Sequence, residues 1–152
     1  MKSKRMMKEI SSREMASVTA RLHYQTEQRK DPVASTFVLR LTGGSSDPEP
    51  VGQALTIAST ALVSGVAVEL WLMGDGVELA RPGAIEELTL AHSPPLIELW
   101  NAVREAGPIY ACTQCLKRRG MDVEDLREGV TQAGAQAFVA SLATDGATCL
   151  DF

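Results

Sequence analysis

The chain has 152 residues, 45 % of them hydrophobic and 22 % charged, ordinary values for a single globular domain large enough to bury a core. No run approaches the roughly 18 apolar residues a membrane span needs, and no apolar region follows the basic start Met1-Lys2-Ser3-Lys4-Arg5, so neither a membrane protein nor a secretory signal is expected. The net charge of −4 is uneven: residues 1–30 hold eight Lys/Arg against three Glu, whereas 31–152 hold seven against sixteen acids, a body unsuited to nucleic acid.

Residues 1–34 read as a basic N-terminal extension, either helical or disordered. Ile10, Met15, Val18 and Leu22 stand near helical spacing, and Asp31-Pro32 punctuates the boundary. Seven aromatics in the whole chain give little for stacking bases, so this arm is better read as solvated than as an RNA-binding element.

The α/β domain follows over 35–152. Thr36 to Leu41 is rich in β-formers and ends at Thr42-Gly43-Gly44, the pattern of a first strand. Ser45-Ser46-Asp47-Pro48 opens a helix with Val51, Ala54, Leu55, Ala58, Ala61, Leu62 and Gly65 on one stripe. Val66 to Met73 is near-continuously apolar, as a parallel strand buried on both faces should be, and Gly74-Asp75-Gly76 ends it. Ser93-Pro94-Pro95 predicts a helix start with Ser93 as cap, a buried stripe of Leu96, Leu99, Trp100 and Val103, and Gly107 as stop.

A third strand runs from Pro108 into Cys112, and Thr113 to Gly120 reads as a short helix. Val123 to Leu126 suits one further turn, Gly129 to Gln132 a short strand, Ala133 to Ala143 a helix and Ala147 to Phe152 a last strand. Alternating strands and helices argue for a mainly parallel sheet of about five strands with helices on both faces. Ligands in such sheets bind beyond the carboxyl ends of the strands. Cys112 and the Gly43-Gly44 loop therefore line one crevice, provided the first and third strands are neighbours.

Cys112 and Cys115 carry the sharpest chemical signal. A thiol at a strand-to-helix junction faces the unpaired N–H groups and positive end of the helix dipole, which favours its thiolate. Cys115, three residues on, shares its helix face. A zinc site would need a second ligand pair, and Cys149, His23 and His92 supply none, so no metal or other cofactor is expected. A thioredoxin-like redox pair, persulfide carriage on Cys112, and two half-buried structural cysteines remain. Three cysteines are too few for a disulfide scaffold, and the cytoplasm is the default compartment.

Other features have plainer readings. Lys117, Arg118 and Arg119 suit the C-terminus of the Cys112 helix, and a neighbouring subunit or a fold-back can bring one to the thiol. Gly43-Gly44 lacks the surroundings of a phosphate loop and suits a tight turn. His92 occupies a loop, a place for a general base or for an ordinary surface histidine. Glu69, inside an apolar strand, lies near a solvated end or pairs across an oligomer interface, and Cys149 reads as inert core. With Arg118 and Arg119 taking exposed positions, Cys115 and Leu116 are the inward-facing residues of their helix. An inward Cys115 leaves a persulfide on Cys112 long-lived; an outward one can resolve it.

Most of 35–152 resembles the DsrE/DsrF-like family, whose members include subunits of bacterial sulfur-relay complexes. The likeness lies in Ser46-Asp47-Pro48-Glu49 before a helix ending Val63-Ser64-Gly65-Val66-Ala67-Val68, and in Gly74-Asp75-Gly76-Val77-Glu78-Leu79 with Arg81-Pro82-Gly83. Ile109-Tyr110-Ala111-Cys112, Leu116-Lys117-Arg118-Arg119-Gly120-Met121 and the closing Ala147-Thr148-Cys149-Leu150-Asp151-Phe152 complete it. Relay subunits of this family carry sulfur on a cysteine eight residues before the glycine of a basic Leu-Arg-Arg-Gly stretch, and Cys112 stands eight before Gly120. The resemblance implies a three-layer α/β/α sandwich, a homotrimer or hexamer, and a sulfur-carrying role for Cys112 with sulfur donor and acceptor proteins as partners. Cys115 departs from the single-cysteine relay pattern. The family does not imply one activity, so a non-catalytic binding or scaffold module using a crevice at Cys112, or a CxxC thiol-disulfide protein, stays open beside sulfur transfer.

Overall fold

Five short strands form one all-parallel sheet in the computed structural model, which describes residues 35–152; the N-terminal extension lies outside the described residues. The strands are β1 (Thr36–Leu41), β2 (Ala67–Leu72), β3 (Ile109–Cys112), β4 (Val130–Ala133) and β5 (Ala147–Asp151), in the order β4-β3-β2-β1-β5. Four helices connect them: α1 (Pro48–Val63), α2 (Leu96–Ala106), α3 (Thr113–Arg118) and α4 (Ala135–Leu142). 3₁₀-helices span Gly74–Ala80 and Val123–Asp125, the second where one further turn was expected.

Strand alternation sorts the side chains into two layers. Leu39 pairs with Leu70, and Leu70 with Ile109, so these residues point to one face of the sheet. They join Leu41, Leu72 and Ala111 in a core with Leu55 and Ala58 of α1, Leu96, Trp100 and Val103 of α2, and Leu116 of α3. Full burial of each such large side chain stabilises the fold by roughly 1.5–3 kcal/mol. Trp71 and Tyr110 take the alternate positions, so they occupy the opposite face, where Trp71 packs on Tyr110 at 4.5 Å and on Phe138 of α4 at 5.1 Å between ring centroids. A right-handed crossover explains the split. The chain steps one way from β1 to β4, then returns across the whole sheet to β5, so α4 lies on the other side. The result is the expected α/β/α layering, with the second layer built on one short helix.

Two expectations fail for physical reasons. Ser93 does not cap α2; its hydroxyl donates to the Pro94 carbonyl at 3.0 Å, and Pro95 holds the cap position. Pro94 and Pro95 lack the N–H groups that a Ser93 cap would face, so the helix begins later. Cys149 is exposed rather than core, because β5 pairs only with β1 and forms an edge of the sheet. Its sulfur lies 3.8 Å from Asp151 Oδ1, and Asp151 holds Arg40 of β1 in a two-pronged ion pair at 2.8 and 2.9 Å.

Arg127 ties the long segment between β2 and α2 to the body. Its guanidinium grips both oxygens of Glu86, at 2.8 and 3.2 Å, and lies 5.1 Å from the centroid of the Trp100 ring. Burial alone would raise the Glu86 carboxyl, but the hydrogen bonds and charge of Arg127 outweigh it and hold the group below its usual value.

Candidate functional site

Cys112 ends β3 and begins α3. It sits at the N-cap with an extended backbone (φ −63°, ψ 118°) and makes no side-chain capping bond. Its side chain is half-buried, and Ala133 at the end of β4 pairs with it across the ladder. Cys115 occupies the third position of the helix and is 8 % exposed. Its sulfur accepts the backbone N–H of Gly74 at 3.3 Å. Burial pushes the Cys115 thiol up, and so does the Cys112 thiol, which acts on it as hydrogen-bond partner and as charge; the Gly74 N–H and the Arg118 guanidinium pull the other way. All three cysteines, Cys112, Cys115 and Cys149, are free thiols.

The position of Gly74 is set by the turn that leaves β2. Gly74 adopts φ +52°, a left-handed conformation that side chains resist. Two residues on, a Cβ at Gly76 would stand 2.4 Å from the Leu41 carbonyl oxygen, so only glycine lets this turn fold onto the end of β1. Arg119 then clamps the turn to α3. It donates to the Cys115 carbonyl at 3.2 Å, pairs with Asp75, and reaches Glu78 at 3.6 Å. On the other side of α3, the Gln132 amide donates to the Thr113 hydroxyl at 3.2 Å, fixing the helix start to β4. The helix is thus held from both flanks, and Arg119 is a half-buried clamp rather than the exposed residue the sequence suggested.

The other residues singled out do not gather at the thiols. β2 separates β1 from β3, so the condition for a shared Gly43-Gly44 and Cys112 crevice is not met. Gly43 packs on Pro50, and a Cβ at Gly44 would stand 2.7 Å from the Asp75 carbonyl oxygen; the pair makes the tight approach between two loops. His92, at φ +59°, lines a cavity of about 400 Å³ with Glu49, Gln53 and Ile57 of α1, and Cys112 is not in its wall. Glu69 accepts from the Trp71 indole N–H at 3.3 Å, a partner two residues away on the same sheet face.

A second cavity, of about 570 Å³, went unread in the sequence. Ser45, Glu78, Arg81, Glu87 and Arg119 line it, so the residue that holds the Cys115 carbonyl also borders an open polar space. The Gly74-Asp75-Gly76 cluster was the available signal, since three such residues at a strand end mark a close backbone approach, but nothing local names Cys115 as its target. Among the described residues no group of three or more His, Cys, Asp or Glu is assembled to hold a metal ion, and no helix is long and apolar enough to cross a membrane.

Comparison with known proteins agrees with this architecture. The uncharacterized protein MJ0989 of Methanocaldococcus jannaschii is 31 % identical over 105 residues, which cover 68 % of this chain and 89 % of that protein. Among solved structures, the ychN protein of E. coli superposes with a TM-score of 0.62 at 20 % identity, over 78 % of this chain and 99 % of that one. The protein of unknown function MTH1491 from Methanobacterium thermoautotrophicum gives a TM-score of 0.58 at 20 % identity, with the same coverage. At that identity the likeness establishes the fold alone. The family model for the DsrE/DsrF-like family matches residues 37–152, nearly the whole described domain, and the chain belongs to that family.

Proposed function

We propose that this protein handles sulfane sulfur, taking it up as a persulfide on Cys112 and passing it to an acceptor thiol in the cytoplasm. The observation that carries the reading is the placement of Cys112: a half-buried thiol at the carboxyl end of an interior strand of the sheet and the N-cap of a helix, with a second thiol three residues on. The Cys112 thiolate attacks the outer sulfur of a donor persulfide, forming one S–S bond while the donor's S–S bond breaks and the donor thiolate leaves. An acceptor thiolate then attacks the same outer sulfur and regenerates Cys112. The sulfur moves at constant oxidation state, so neither step needs an oxidant or a cofactor. The partners would be a sulfur donor and a sulfur acceptor protein, with no nucleic acid or membrane, and the working form a homotrimer or hexamer.

The test is intact-mass spectrometry after incubation with a small-molecule persulfide donor. An adduct of about 32 Da, one sulfur atom, that disappears in Cys112→Ser is the expected result. No adduct with any donor, in the parent or in its cysteine variants, and no sulfide released, would replace the relay reading by a non-catalytic binding or scaffold module.

A further inference from the structure

We infer that Cys115 is a resolving thiol, which discharges a persulfide held on Cys112 by closing a Cys112–Cys115 disulfide and releasing sulfide. The inference rests on the persulfide reading of Cys112 and adds an outcome to it: sulfur not collected by an acceptor leaves as sulfide.

Position comes first. In a capping box the side chains of the N-cap and the third helical residue each reach the other residue's backbone N–H, so these two positions are close neighbours at a helix start. Cys112 and Cys115 hold those two positions, and both are free thiols. Residues three apart on a helix stand about 5–6 Å apart between Cβ atoms, and a disulfide needs about 3.5–4.5 Å. The adjustment falls on Cys112, whose extended backbone stands at the last position of β3, outside the helical turn. Facing inward and facing Cys112 are therefore compatible, and the burial of Cys115 does not isolate it.

Access sets the order of events. Cys115 is 8 % exposed, so a donor in solution meets the half-buried Cys112 first. The Gly74 N–H, directed at the Cys115 sulfur at 3.3 Å, stabilises the thiolate that attack requires. Burial disfavours the Cys115 thiolate before the persulfide forms. The anionic terminal sulfur of that persulfide then takes the Cys115 proton. The Cys115 thiolate attacks the Cys112 sulfur, the S–S bond to the terminal sulfur breaks, and HS⁻ leaves. Two electrons pass from the two cysteines to the sulfane sulfur, and an external dithiol reduces the disulfide for another cycle.

The experiment treats the reduced full chain with one equivalent of an organic persulfide and follows both intact mass and free sulfide. The parent should release about one sulfide per chain and end about 2 Da lighter than the reduced protein. Cys115→Ala and Cys115→Ser should instead hold the adduct of about 32 Da on Cys112 at least about tenfold longer, without sulfide. Two variants are used because Ala leaves a small void whereas Ser keeps an acceptor for the Gly74 N–H. A parent that holds its adduct as long as both variants overturns the inference and leaves the relay reading standing. No sulfur uptake in any variant, with no sulfide from the parent, sinks the relay reading and the inference together. A sulfur-free arm equilibrates the parent with a dithiol/disulfide buffer. Failure to form any disulfide that Cys112→Ser abolishes would overturn the inference alone.

Discussion

The backbone N–H of Gly74 donates to the Cys115 sulfur at 3.3 Å, so the turn that ends β2 and the helix that follows β3 meet at the thiol pair. That hydrogen bond depends on the turn lying flat against β1. Gly76→Ala would bring a Cβ to 2.4 Å from the Leu41 carbonyl oxygen, a main-chain atom that cannot step aside alone. The variant should lose about 1–3 kcal/mol in urea denaturation. Its Cys115 should also become faster to alkylate, as the turn lifts from α3. Unchanged stability with unchanged Cys115 alkylation would show that the turn does not hold the thiol.

Arg119 is the second restraint on that geometry. Its pairs with Asp75 and Glu78 are partly solvent-screened, since those carboxylate side chains are 61 % and 44 % exposed, so the ion pairs alone are worth little. The bond to the Cys115 carbonyl is the part that salt does not screen away. Arg119→Gln should cost about 0.5–1.5 kcal/mol, and Arg119→Lys should recover only part of it, because an ammonium cannot serve three partners with one planar fork. Full recovery by Lys would reduce Arg119 to a simple surface charge.

The first three strands were legible because each is a short, mostly apolar run between glycine-rich or polar turns. Thr36 to Leu41 and the strand ending at Cys112 match the structure directly. Cys112 itself was legible, being a cysteine at a strand-to-helix junction. What the sequence could not supply was the lateral order of the strands. Placing β2 between β1 and β3 removes Gly43-Gly44 from Cys112 and brings Gly74 to Cys115 instead. Cys149 was misread for the same reason, since an apolar strand gives no sign that it pairs on one side only. The grip of Arg127 on Glu86 joins residues 41 apart in sequence, and no local pattern marks it.

Stability should fall at both ends of the pH scale, for opposite reasons. Glu86 is held below its usual 4.5, so its contribution is complete above that value and is lost as pH falls through the lower folded value. Glu86→Gln should flatten the acid limb of a stability-against-pH curve. Cys115 and Cys149 are both raised above 9.0, Cys115 chiefly by burial and then by Cys112, Cys149 chiefly by burial and then by Asp151. Their contribution is complete below about pH 9 and is lost as pH rises through the folded values. Cys115→Ser with Cys149→Ser should flatten the alkaline limb; an identical limb in that double variant would remove both thiols as its cause.

The second layer of the sandwich predicts assembly. The sequence of α4, Ala135 to Leu142, contains no charged residue, yet none of its residues is buried, and Val139 and Leu142 are 61 % and 38 % exposed. Phe138 alone of the helix makes a ring contact with the sheet, through Trp71. Eight residues are too few to stand as a helix in water, so packing must hold this one. An uncharged helix beside an exposed edge strand is the surface that a symmetric copy would bury. Sedimentation of the parent at micromolar concentration should therefore give a species larger than a monomer. Val139→Asp places a charge in that surface and should shift the protein to smaller species while the far-ultraviolet spectrum of the domain is kept. Cys149, on the exposed edge of β5, gives a second readout: it should alkylate slowly in the assembled parent and at least about tenfold faster in the dispersed variant, if the edge lies within the contact. A parent that sediments as a monomer, with Val139→Asp unchanged from it, would show that α4 stays uncovered.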